Sequence, residues 1–145
     1  MVCLMFTGCS NSETNSTSRG LTDFAHIEEE YLATIDSLNW PDGITLPDKL
    51  EDEDTGASFQ VGYGETRASY LWEYSWMKEW LDTYNTDPER AEKALEELEK
   101  AFDMPYMGID RCDDATRNYL RENIDKAKLG DPSGFTESIR ANYAN

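Results

Sequence analysis

Apolar residues recur at helical spacing along most of the chain after residue 20. Between residues 23 and 38 they are three or four positions apart, which places them on one face of a helix. These residues are Phe24, Ile27, Tyr31, Ile35 and Leu38. Thr22 or Asp23 can cap this helix, and Trp40-Pro41-Asp42-Gly43 ends it because the residue before a proline avoids the α conformation and Asp-Gly favours a turn.

The segment 66–84 carries two apolar stripes side by side. One stripe alternates by four and three and consists of Tyr70, Tyr74, Met77, Leu81 and Tyr84; the other repeats every four residues and consists of Trp72, Trp76 and Trp80. At 100° per residue the two stripes together cover roughly 200° of the helix. We therefore predict a central helix with neighbours on two sides.

Three further helices follow from caps and spacing. Asp87 as cap and Pro88 at the first position open a helix that continues to Phe102. A helix with Leu120, Ile124 and Ala127 on its apolar face runs from Asp113 or Asp114 to about Leu129, and Gly130 stops it. Asp131-Pro132 opens a short last helix with Phe135, Ile139 and Tyr143. The predicted fold is all-α, a compact bundle of four or five helices.

Residues 41–64 separate the first two helices and are rich in proline, glycine and acids. We predict a long loop there, with one short extended piece at 59–61. Ile44 and Leu46 lie between Pro41 and Pro47, and we expect them to cross the helices as an apolar strap.

The acidic part of this loop partly matches the spacing of a calcium-binding EF-hand. Asp52 and Asp54 have the required separation, but Gly56 comes one position early and Tyr63 stands where the closing glutamate is needed. We therefore interpret the run as a solvated acidic loop and expect no metal or cofactor site.

Charge and histidine content restrict the function further. Thirty acidic and thirteen basic side chains give a net charge of −17, which repels phosphate backbones, so nucleic acid is not an expected partner. His26 is the single histidine, so a histidine-based zinc site or a catalytic triad depends on that one residue. We expect it to be exposed or partly packed.

The N-terminus has the order of features found at the end of a bacterial lipoprotein signal peptide. An apolar run leads into Met5-Phe6-Thr7-Gly8-Cys9, and a Ser/Thr/Asn tract follows at once. This segment resembles a lipobox, which implies a diacylglyceryl group on the Cys9 thiol and anchorage to the outer face of the cell membrane. The apolar run is short and no basic residue precedes it, so we predict that Met1 is internal and that translation starts upstream.

The resemblance divides the chain into three parts: a truncated signal segment at 1–8, the lipidated cysteine with a flexible tether at 9–20, and one helical domain at 21–145. Cys3 then lies in the leader and Cys9 carries lipid, so Cys112 has no disulfide partner. It is either a small buried apolar residue or an accessible thiol. More faintly, residues 60–65 before a Trp-rich helix are similar to small secreted or membrane-anchored proteins of Gram-positive actinobacteria, which implies a cell-surface location and no particular activity.

Glu73 is the most informative acid because it falls within the apolar arc of the central helix. A carboxylate there must be paired, hydrogen-bonded or neutral, since burying it unpaired is costly. One interpretation is an ion pair with Arg117, Arg121 or Lys128, and the other is a carboxylate that binds a ligand in a pocket.

Trp72, Trp76 and Trp80 also have two interpretations. They can stack on sugar rings or peptides, or they can simply form the core. The leading hypothesis is a non-enzymatic module of the cell envelope that binds a protein, peptide or glycan. The alternative is a small cell-wall hydrolase that uses Glu73 and a second acid, because two well-placed carboxylates suffice for glycoside chemistry.

Overall fold

The computed structural model describes residues 20–143 and contains five α-helices and one two-residue strand pair in that part of the chain. The elements are β1 (Leu21–Thr22), α1 (Phe24–Ser37), β2 (Phe59–Gln60), α2 (Tyr63–Thr83), α3 (Pro88–Glu99), α4 (Asp114–Lys128) and α5 (Ser133–Asn142). Two 3₁₀ helices, Lys100–Asp103 and Pro105–Met107, connect α3 to α4. The prediction of an all-α bundle of four or five helices is confirmed. The lipobox and Cys9 lie outside the described residues.

Helix α1 begins and ends within one residue of its predicted bounds. The Asp23 side chain caps it by accepting a hydrogen bond of 3.0 Å from the His26 amide. Its buried residues are Ile27, Tyr31 and Ile35, which belong to the predicted apolar face.

Helix α2 is the predicted central helix, because it packs along α1 and α3 and also contacts α5. It begins at Tyr63 and not at Thr66, since Glu30 of α1 caps it from a distance. The Glu30 carboxylate accepts hydrogen bonds from the amides of Gly62 and Gly64, at 2.8 and 3.1 Å. A Cβ on Gly64 would lie 1.8 Å from the carbonyl oxygen of Ile27, so only glycine lets the two backbones approach this closely.

The loop before α2 contains β2, which pairs antiparallel with β1, so the predicted extended piece is confirmed in shortened form. The expected apolar strap is wrong, because Ile44 and Leu46 are exposed. Leu50 is buried beside α1 instead, and its amide donates a 3.1 Å hydrogen bond to Glu28. The bond and the buried Leu50 side chain both hold the loop against α1 at this point.

The core consists of two clusters of buried residues, and α2 contributes residues to both. One part joins α1 to α2 and includes Leu50; the other joins α2 to α3, α4 and α5. Helix α3 ends at Glu99, and the 3₁₀ helix Lys100–Asp103 continues the apolar face that we predicted for it. Between residues 20 and 143, no helix is long and apolar enough to cross a membrane.

Candidate functional site

A cleft of about 860 Å³ opens between α2, α4 and α5, with Glu73 in its wall. We call it the Glu73 cleft. Its lining residues are Arg67, Tyr70, Glu73, Met107, Ala115, Thr116, Tyr119, Leu120, Ser138, Ala141, Asn142 and Tyr143. The volume falls within the range of small-molecule sites in proteins, roughly 300 to 1,000 Å³.

Three helices and one 3₁₀ helix place the polar groups of the cleft. Tyr70 and Glu73 are three positions apart on α2 and therefore share one face. Tyr143 caps the end of α5, and its ring packs on Tyr74 with centroids 5.0 Å apart. The 3₁₀ helix Pro105–Met107 brings Tyr106 against Glu73.

Glu73 is almost fully buried, with 6% of the residue exposed. The hydroxyl of Tyr106 donates a 2.6 Å hydrogen bond to Glu73 Oε2. Among residues 20–143 no lysine, arginine or histidine forms a salt bridge with Glu73, so the predicted ion pair is wrong.

The three cations that we considered for Glu73 have other partners. Arg117 pairs with Asp114 at 2.5 Å, and Lys128 pairs with Glu99. The Arg121 guanidinium lies over the Phe102 ring, 4.2 Å from its centroid. A tyrosine on a segment without a predicted element therefore replaces the expected cation.

Burial controls the protonation of this group. It raises the pKa of the Glu73 carboxyl from an ordinary value of 4.5 to about 7, although the hydrogen bond from Tyr106 acts in the opposite direction. Burial, together with the nearby Glu73 charge, raises the pKa of Tyr106 well above its ordinary value. The same two causes raise the pKa values of Tyr70 and Tyr143. At neutral pH the carboxyl therefore exists in both protonation states, beside tyrosines that remain neutral.

The three tryptophans of α2 lie in the core. Trp72, Trp76 and Trp80 are 1, 1 and 2% exposed, so their ring faces cannot stack on a ligand in this structure. Trp76 donates a 3.1 Å hydrogen bond to the carbonyl of Asn39. Of the four candidate binding residues, the structure places Glu73 alone in the wall of the Glu73 cleft.

Sequence reasoning missed the tyrosines of the Glu73 cleft as site residues. Tyr70 and Tyr119 are each 39% exposed, and Tyr143 is half-buried. Tyr70 and Tyr143 belong to the apolar faces predicted for their helices. A stripe of tyrosine in place of leucine or phenylalanine was the available signal, since a hydroxyl suits a surface that is half wet.

Residues 20–143 form neither a carboxylate pair in the Glu73 cleft nor a metal site. Of the residues from 20 to 143 that line the Glu73 cleft, Glu73 is the sole acid, so a carboxylate pair for glycoside hydrolysis is not assembled there. No group of three or more His, Cys, Asp or Glu side chains within the same range could hold a metal ion. Cys112 is half-buried, and its sulfur lies 3.7 Å from that of Met107.

Comparison of the chain with protein-family models, with curated proteins and with solved structures found no match.

Proposed function

We propose that this chain is a lipoprotein of the outer face of the cell membrane, and that its helical domain binds an envelope ligand in the Glu73 cleft. The observation that carries the binding role is a nearly buried carboxyl in the wall of an open cleft of about 860 Å³. The lipid anchor attaches at Cys9 and holds the domain at the membrane. The domain acts by binding, and we assign it no reaction.

The cost of the buried carboxyl supports a binding role. A Glu73 whose pKa is about 7 is destabilising when it ionises, because no cation among the described residues compensates its charge. A neutral or apolar side chain of similar size would serve the core better. A carboxyl at this position has a use if a ligand supplies the missing interaction.

The sequence before the domain supports the anchor. Met5-Phe6-Thr7-Gly8-Cys9 resembles a lipobox, and the eleven residues after it contain no strongly apolar side chain. The composition of this tract is typical of a tether between an anchor and a folded domain. Two or more acyl chains on one cysteine anchor a protein stably, whereas a single chain does not.

The net charge fits a domain held away from the membrane. At −17 the chain is repelled by anionic lipid headgroups, so it gains nothing by lying on them. A tether therefore keeps the Glu73 cleft in the space above the membrane, where soluble or wall-bound ligands occur.

The anchor is tested by metabolic labelling with an alkyne palmitate in the native host. The wild-type chain incorporates label, Cys9→Ala abolishes it, and Cys112→Ala leaves it unchanged. Label that persists in Cys9→Ala, or an unlabelled wild type, contradicts the lipoprotein proposal.

The Glu73 cleft is tested separately by amide NMR of the full chain with soluble peptide and glycan fragments of the cell wall. A ligand shifts the amides of the lining residues, and Ala115→Trp blocks the effect by filling the Glu73 cleft. Ala25→Trp is the matched control, because both alanines are exposed and each is the second residue of its helix. Shifts that are equally strong in both variants place binding elsewhere and overturn the assignment of the site.

A further inference from the structure

We propose that the Glu73 cleft selects ligands with a primary ammonium group on a short apolar chain, with the ammonium against Glu73 and the chain among the tyrosine rings. This inference rests on the ligand-binding function proposed above and names the chemical class of the ligand.

The first argument is the incomplete set of partners around Glu73. Tyr106 donates to Oε2, whereas no hydrogen bond from residues 20–143 reaches Oε1. The structure provides one neutral donor for a group that can accept about four hydrogen bonds when it is ionised. A primary ammonium brings three N–H donors and the missing positive charge in one group. A hydroxyl brings a donor without the charge.

The second argument is the aromatic lining. Tyr70, Tyr119 and Tyr143 all line the same cleft as the carboxyl. Aromatic faces attract a cation that lies within about 6 Å of the ring centroid, and they also pack against alkyl chains. Rings beside one acid therefore suit an ammonium with an apolar chain and disfavour an anion.

The third argument concerns the charges at the edge of the Glu73 cleft. Arg67 also lines it, and its charge alone would oppose a cationic ligand. However, the Arg67 guanidinium is paired with Glu53, which also accepts a 2.8 Å hydrogen bond from Tyr63. The chain as a whole carries −17, which attracts small cations and repels anions.

The proposal implies a pH dependence with a defined sign. Ammonium binds to the ionised carboxylate, so affinity rises with pH up to the pKa of Glu73, which is about 7, and then levels off. The other titratable groups that face Glu73 are Tyr70 on α2, Tyr106 on the 3₁₀ helix, Tyr143 at the end of α5 and Cys112 before α4. Each has a pKa raised above its ordinary value, so Glu73 is the group that changes charge near neutrality.

The test compares n-pentylammonium with 1-pentanol, which has the same shape and no charge. Amide NMR titrations of the full 145-residue chain measure both affinities from pH 5 to 8. We expect n-pentylammonium to shift the amides of the lining residues and to bind at least tenfold more tightly than 1-pentanol at pH 8. Its affinity falls about tenfold per pH unit well below the pKa of Glu73, because the protonated carboxyl does not bind it.

Two variants test whether the binding of n-pentylammonium depends on the charge of Glu73. Glu73→Gln keeps the shape of the side chain, removes the charge and weakens n-pentylammonium at least tenfold. Glu92→Gln removes one charge from an exposed position on α3 and leaves the affinity within twofold of wild type. The pH series on the wild-type chain needs no variant, so it still tests the idea if Glu73→Gln folds poorly.

The outcomes separate this inference from the function on which it rests. Equal affinity for n-pentylammonium and 1-pentanol, or a pH-independent affinity, overturns the ammonium class while leaving the Glu73 cleft as a binding site. If neither probe shifts the lining amides, the ammonium class is also overturned. The binding role proposed for the Glu73 cleft fails as well if the cell-wall peptides and glycans likewise leave those amides unchanged.

Discussion

Replacing Glu73 with glutamine gives the most direct test of the buried carboxyl. Glutamine has nearly the same shape, never ionises, and still offers an oxygen to the hydroxyl of Tyr106. In the wild type this hydroxyl donates a 2.6 Å hydrogen bond to Glu73 Oε2. The substitution therefore removes the charge of the ionised state and little else. We expect Glu73→Gln to be more stable than wild type at pH 8 and close to it at pH 5.

The size of the effect follows from the pKa of Glu73 in the two states. The carboxyl has an ordinary pKa of 4.5 when the chain is unfolded and about 7 in the folded domain. Because the folded state holds the proton more tightly, this group removes stability as pH rises from the lower pKa to the higher one. Between pH 5 and 8 the loss is about 2 to 3 kcal/mol, at 1.36 kcal/mol per pKa unit.

Urea unfolding followed by tryptophan fluorescence measures this loss, since the tryptophans of α2 are buried and report on the core. The quantity of interest is the difference in unfolding free energy between Glu73→Gln and wild type at each pH. Taking that difference cancels the titration of the other acids, which is large in a chain of thirty acidic residues. At pH 8 the unfolding midpoint of the wild type should be about 1 to 2 M urea lower than that of Glu73→Gln.

Glu92→Gln is the matched control for this experiment, because Glu92 is exposed on α3. Its difference from wild type should stay within about 0.5 kcal/mol across the same pH range. If Glu73→Gln shows a difference between pH 5 and pH 8 that is no larger than this control, the folded-state pKa of Glu73 is not raised. A Glu73→Gln variant that is less stable than wild type at pH 8 by several kcal/mol also refutes the reasoning, since it means that the ionised carboxylate is stabilising.

The remaining predictions concern the partners of this group and the junction of α1 with α2. Tyr106→Phe removes the one hydrogen bond that Glu73 accepts from residues 20–143 and should raise the pKa of that carboxyl above 7 by about one pH unit, as measured by side-chain ¹³C NMR titration. Gly64→Ala forces a Cβ into the α1 backbone and should cost about 3 kcal/mol in urea unfolding. Gly20→Ala, whose Cβ meets no atom of the described residues within 4 Å, should change stability by less than about 0.5 kcal/mol. Glu30→Gln weakens two hydrogen bonds from the first amides of α2 and should cost about 1 to 2 kcal/mol; an unchanged melting curve excludes that cap.

Local spacing was sufficient to predict the helices, because each one carries its own apolar face and most carry their own caps. Asp87 and Asp113 accept hydrogen bonds from the amides three residues ahead, at 3.2 and 2.8 Å. Such caps lie within one turn of the helix that they start and are therefore visible in the sequence. The cap of α2 comes from Glu30, more than thirty residues earlier, and for this reason the start of α2 was placed too late.

The same difference between local and distant contacts explains the errors at the candidate site. Tyr106 is 33 residues from Glu73 and lies on a short 3₁₀ helix, so no periodicity connects the two. Cations on α4 had the right chemistry for Glu73, but α4 directs them to its own first turn, to Phe102 and to Glu99. Helical spacing predicts which residues share a face, and it does not predict which residue of another element meets that face.

The two stripes of α2 meet different surroundings, and this difference explains the position of Glu73. The tryptophan stripe is buried, and its loss of water contact stabilises the bundle. The tyrosine stripe begins with Tyr70, which remains 39% exposed in the wall of the Glu73 cleft. At 100° per residue Glu73 falls between the two stripes, so it stands on the border between a dry surface, the core, and a wet one, the Glu73 cleft. The dry side raises its pKa, and the wet side gives a ligand access to it. A carboxyl deeper in the core would be inaccessible to a ligand, and one farther out would have an ordinary pKa. The border position gives this group both a shifted pKa and an open path to solvent.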